Sequence, residues 1–239
     1  MFNRRSQLIC VWSGPMLAVL FTLGGVVLGR FVPPMTRPGD SAQRVAQLYA
    51  DHATRERLGA FVALMGMSLI APFGVAIAAQ TRRLEGRYPT LSYVQLTGAT
   101  IGTMIGILAC LCWAVAAYRP LGRPAEFTRF ANDLGYFMFV FPWGPFSVWL
   151  VAIGLSVLLP PKPVFPRYVG WLNVWVASLF VPAGLIVFFK HGVFDWAGLM
   201  ALYMPLAVFF VWMGVMFYET RKNILAGHHE PAEPMPADT

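Results

Sequence analysis

Six stretches of this chain contain no Asp, Glu, Lys, Arg or His: residues 7–29, 58–81, 88–118, 134–161, 168–189 and 196–218. The shortest is 22 residues long. About 20 apolar residues in a helix cross the hydrocarbon core of a bilayer. A backbone in lipid must satisfy its polar groups internally, which leaves helices and closed barrels. Barrel strands alternate over about ten residues, whereas these runs are continuous and longer. The chain therefore reads as an all-α membrane protein with six transmembrane helices. The spans are placed at 8–30, 58–80, 91–118, 134–159, 168–189 and 196–218, within a single domain over 1–226. Only 12% of the 239 residues are charged, against about 25% in soluble domains. Asn3-Arg4-Arg5 looks like the basic flank of a signal peptide, but the apolar run after it is too long and no Ala-x-Ala site follows. It is taken as the first span, doubling as the insertion signal.

The chain also reads as an internal duplication. Gly14-Pro15 recurs as Gly144-Pro145, and at the same offset Leu20, Gly24, Val27 and Leu28 meet Leu150, Gly154, Val157 and Leu158. Ser68-Leu69-Ile70-Ala71-Pro72-Phe73-Gly74 recurs as Ser178-Leu179-Phe180-Val181-Pro182-Ala183-Gly184, with Arg57 meeting Arg167. Three spans per half reverse the chain direction, so the halves would form an inverted 3+3 repeat. In transporters built this way the site lies between the halves, at broken helices. Proline removes a helix hydrogen bond and kinks the chain. Pro15, Pro72, Pro145, Pro182 and Pro205 thus predict kinked or broken helices. Gly14, Pro15, Pro72, Gly74, Pro182 and Gly184 are the candidate hinges, and Phe141-Pro142-Trp143-Gly144-Pro145 is the leading candidate for opened backbone.

Lys and Arg divide nine against nine between the two sides, so the positive-inside rule does not decide orientation by count. Their density in short links such as Thr81-Arg82-Arg83-Leu84-Glu85-Gly86-Arg87 favours both termini in the cytoplasm of a cell inner (plasma) membrane. The net charge of +7 is then read as lipid headgroup attraction, not nucleic-acid binding. Asp40-Ser41-Ala42-Gln43 predicts a helix start. Val45, Leu48, Tyr49 and His52 follow on one face, so residues 41–56 are expected as an amphipathic helix on the membrane surface. The Pro-rich tail 227–239 is expected to be disordered. Gly98, Gly102 and Gly106 make a small-residue ridge, used for packing within the bundle or for a homo-oligomer or protein partner.

Chemistry-bearing clusters are scarce. No span holds a histidine, and no His, Cys or carboxylate set has metal spacing, so no metal and no cofactor is expected. Cys10, Cys110 and Cys112 read as small hydrophobes. No nucleotide loop, nucleophile elbow or HExxH is present, so no catalytic residue is assigned and an enzyme is not expected. Arg30, Asp133, Lys190, Asp195 and Glu219 are placed at helix ends, Asp133 as the cap of the fourth span, leaving no carboxylate inside a span. Within the spans, Gln95 and Asn173 are the larger polar groups. With Trp143, Trp171 and Trp175 they could line an apolar pocket, although such tryptophans also form interfacial belts. Gln95, Trp143, Gly144, Pro145 and Asn173 are the candidate substrate-binding residues.

Leu-Tyr-Ala-Asp-His at 48–52, Ala-Pro-Phe at 71–73, Asn-Asp-Leu-Gly at 132–135 and Pro-Arg-Tyr-Val-Gly-Trp at 166–171 resemble a group of bacterial six-span integral membrane proteins, actinobacterial ones included, of uncharacterised function. The resemblance covers most of the chain. It implies the architecture and carries over no catalytic or binding residue. Two functions fit these observations. One is a small permease or exporter for a neutral or amphipathic molecule. The other is a non-catalytic membrane subunit of a larger complex.

Overall fold

Each uncharged window folds as helix, and among residues 2–227, which the computed structural model describes, there is no strand. Helix α1 (Phe2–Phe21) passes into a π-helical turn, Thr22–Leu28. Helices α2 (Ala42–Met67) and α3 (Ile70–Thr81) follow, then α4 (Thr90–Tyr118). Next come α5 (Ala125–Val140) and α6 (Trp143–Leu158), then α7 (Arg167–Leu179) with a 3-10 segment over Val181–Val187. A π-helical turn, Leu199–Tyr203, leads into α8 (Met204–Ala226). Six helical stretches are long and apolar enough to cross a membrane: Asn3–Leu28, Ala42–Leu84, Thr90–Tyr118, Ala125–Leu158, Arg167–Val187 and Leu199–Ala226. The Arg4 guanidinium donates to the Leu225 carbonyl at 3.2 Å, so the two described chain ends meet at one end of the bundle. That end is called the terminal end below, and the opposite one the far end. Gly227, in the left-handed region at φ 58°, caps α8. The expectation for the tail beyond it falls outside the described residues.

The surface is apolar where soluble proteins are polar. Ile9, Trp12, Val19, Phe61 and Val211 all point outward with more than half their area exposed. The interior instead holds Trp113, Trp149 and Trp212, each fully buried. Spans one and two touch through backbone: a Cβ on Gly24 would lie 2.4 Å from the Ala63 nitrogen, and one on Gly59 would lie 2.3 Å from the Gly29 nitrogen. Only glycine permits that approach. The ridge on α4 is filled from the same chain. Gly98 faces Trp149, Gly102 faces Phe146 and Gly106 faces Met67.

The prolines expected to mark kinked or broken helices stand mostly at such breaks. Pro72, Pro145 and Pro182 each stand in the first turn of the helix that follows an interruption, and Pro205 stands just after the π-helical turn Leu199–Tyr203. First-turn N–H groups have no partner within a helix, so proline there loses nothing and pre-sets the turn. Only Pro15 lies inside an unbroken helix. Two further differences concern the far end. Residues 42–56 are not a separate surface helix; they are the first turns of α2, which runs unbroken to Met67. Their apolar face, with Val45 and Tyr49 buried, packs against Ala116, Ala117 and Ala131 and so needs no lipid surface. Its cap is Ser41, whose side chain accepts from the Arg44 N–H at 3.3 Å. Asp133 does not cap the fourth span either, because α5 begins eight residues earlier, at Ala125.

Candidate functional site

The interruptions meet at one place. The ends of α2 and α3 (Met67, Ile70), the break between α5 and α6 (Val140, Pro142, Trp143), the 3-10 segment (Ala183) and the start of span six (Leu202, Pro205) all line a single cleft. Leu17 and Phe21 of α1 complete it, next to the π-helical turn. The cleft encloses a cavity of about 100 Å³. No charged side chain lines it, and its walls include Phe21, Phe139, Phe146, Phe180, Phe209 and Phe210. Such a space offers dispersion contacts and so suits an apolar body.

Aromatic layers bound it on both sides. Toward the terminal end, Phe209 stacks on Trp212 with centroids 5.4 Å apart, and Trp212 meets Trp149 edge-on at 5.4 Å. Toward the far end, Phe139 touches Trp113 at 5.6 Å. Trp113 belongs to a four-ring arrangement. Phe31 stacks on it at 4.2 Å, Tyr136 meets it edge-on at 5.2 Å, and Trp196 stacks on Tyr136 at 4.0 Å. Phe31 and Trp196 come from two of the three far-end loops, those after spans one and five. These loops therefore reach into the bundle rather than only connect helices.

The residues singled out from the sequence are distributed unevenly. Trp143 lines the cleft, and a Cβ on Gly184 would lie 2.3 Å from its Nε1, so one candidate hinge packs on one candidate ligand contact. Gly144 and Pro145 follow in the first turn of α6, with open space beside Gly144. Asn173 and Gln95 sit elsewhere, both fully buried. Asn173 accepts from Trp212 Nε1 at 2.8 Å and donates to the Val169 carbonyl at 2.8 Å. Gln95 donates to Thr81 Oγ1 at 3.1 Å and to Ser156 Oγ at 3.3 Å. Both amides have their partners inside the bundle. Gly14 packs on Phe73, and Gly74 on Ala99 and Trp149. Trp171 and Trp175 are exposed and do not line the cleft.

One group has no counterpart in the sequence reading. Glu56 on α2 is fully buried, and neither carboxylate oxygen has a hydrogen-bond partner. Around this end of the bundle, Thr36 and Tyr49 both donate to Asn132 Oδ1 at 3.0 Å, and Tyr136 donates to the Phe31 carbonyl at 3.2 Å. The Trp113 N–H is buried without an acceptor. Glu219 is a second buried carboxylate; its Oε1 accepts from the Tyr168 hydroxyl at 2.7 Å, while Oε2 has no partner. The expectation that no carboxylate lies inside a span is therefore corrected, since Glu56 falls within Ala42–Leu84 and Glu219 within Leu199–Ala226. A signal did exist: Tyr49, Glu56, Ala60 and Ala63 share one helix face. It is readable only if α2 is continuous across the edge of the uncharged window.

No protein-family model, no curated protein and no solved structure matches this chain.

Proposed function

We propose that the chain is a multi-pass protein of the cell inner membrane, with both termini cytoplasmic, and that it works as a small permease or exporter for a neutral or amphipathic molecule whose apolar part occupies the cleft. The observation that carries this reading is the convergence of the helix interruptions on one apolar space held between two aromatic layers. Broken helices around a mid-depth site are how alternating-access proteins place a ligand where either side can open. Two observations support an inverted 3+3 ancestry. Both matched segments, Ser68–Gly74 and Ser178–Gly184, coincide with an interruption. The matched glycines also make like contacts with the following span: Gly24 against Gly59 and Ala63, Gly154 against Gly170.

The test is purification of the tagged full chain from native membranes in mild detergent, with co-purifying small molecules identified by mass spectrometry. Ala183 lines the cleft and is buried, so Ala183→Trp should fill it. A hydrophobic molecule present with the native chain and lost with Ala183→Trp is the expected result. Equal amounts with both chains, or a stoichiometric protein partner and no small molecule, would sink the transport reading; the partner would favour the subunit reading.

A further inference from the structure

We propose that Glu56 is a proton-binding site, its carboxyl group held as the neutral acid in the folded chain and releasing its proton to water when the far end opens. The side chain is fully buried, and neither oxygen receives a hydrogen bond. A carboxylate anion in that position would lack both water and donors, which a dry interior penalises heavily. Binding one proton removes the charge with no rearrangement of the helices around it.

Pairing with an arginine is the rival arrangement. Among the described residues the ion pairs are Arg44 with Asp40 and Arg129 with Glu126, and neither involves Glu56. Arg55 and Arg30 lie within electrostatic range of it, but the Arg55 guanidinium donates to the Val27 carbonyl. The other groups that interact electrostatically with Glu56 are Tyr49 on the same helix and Tyr136 on α5, both of which Asp133 also reaches. Tyr203, at the start of span six, reaches Tyr136. The Tyr49 and Tyr136 hydroxyls are committed to Asn132 and to the Phe31 carbonyl, so neither is turned to the carboxylate. A divalent cation would call for further carboxylate, His or Cys ligands, and no group of three such side chains occurs among the described residues.

The site lies beside the aromatic cap of the cleft. Tyr136 belongs to that cap and is within electrostatic range of Glu56. An unpaired charge appearing on Glu56 would work against the packing of α2 on α5, so protonation favours the closed far end. The proton site stands independently of what the cleft carries.

The experiment is infrared spectroscopy of the full chain in lipid nanodiscs at neutral pH, comparing the native protein with Glu56→Gln. The expected result is a protonated-carboxyl C=O band in the native chain, reduced by one carboxyl in the variant and insensitive to added sodium chloride. The amide isostere should keep the native melting temperature at neutral pH. Identical carboxyl spectra for the two chains would overturn the proposal. So would a band that sodium abolishes, since the carboxylate would then be a metal-ion ligand. A Glu56→Gln chain that fails to fold while Glu56→Asp folds overturns it as well, because charge and not shape would then be required.

Discussion

The indole N–H of Trp212 donates to Asn173 Oδ1 at 2.8 Å, joining α8 to α7 through two fully buried side chains. An unpaired N–H in this setting costs about 1–3 kcal/mol. Asn173→Leu should therefore lower stability by about that amount in a detergent melt. The double variant with Trp212→Phe should recover part of the loss, since it removes the stranded donor. Full additivity of the two changes would show that the bond contributes nothing.

Gly98 and Gly144 should respond in opposite ways to the same change. A Cβ on Gly98 would lie 2.6 Å from the Trp149 Cβ and 3.2 Å from its Cα, whereas nothing lies within 4 Å of a Cβ on Gly144. A backbone-anchored obstacle cannot swing aside, so Gly98→Ala is expected to cost about 1–3 kcal/mol through overpacking. Gly144→Ala should be close to neutral. Thermal unfolding of the two variants side by side checks the contrast.

Pro145 stands in the first turn of α6, where its missing N–H has no helical partner to lose. Pro145→Ala should therefore change stability by less than about 1 kcal/mol. Pro15 lies within α1, so Pro15→Ala restores a hydrogen-bond donor inside a helix and should stabilise that segment. Amide exchange of α1 against α6 in the two variants reads the difference directly. Faster exchange across α6 in Pro145→Ala would contradict the first-turn account.

Thr36 and Tyr49 share one acceptor, Asn132 Oδ1, each at 3.0 Å. Removing one donor leaves the acceptor satisfied, so Tyr49→Phe should cost about 1 kcal/mol. Asn132→Leu strands both hydroxyls and frees the loop that carries Thr36. Trypsin cleavage at Arg30, which precedes Phe31 at the start of that loop, should accelerate in Asn132→Leu and much less in Tyr49→Phe. Equal cleavage rates would show that the loop is held by Phe31 alone.

The uncharged windows by themselves determined the number of helices long and apolar enough to cross a membrane and where their apolar parts lie. The reason is that length and polarity are local properties, and the penalty on charge in hydrocarbon acts residue by residue. The glycine ridge on α4 and the coincidence of Pro72 and Pro182 with interruptions were legible for the same reason: steric permissiveness and a missing N–H belong to the residue. What each residue faces was decided only by tertiary structure. Asn173 and Gln95 looked like ligand contacts because a polar group in a span needs a partner, and nothing local reveals that Trp212, Thr81 and Ser156 supply it. Glu56 looked like the last residue of a surface helix because it borders a charge-free window. It is buried because α2 continues without a break and α4 and α5 cover that face, a contact between segments about fifty to eighty residues apart. The cleft follows the same rule: its walls come from all the spans except the third, and no single segment specifies it.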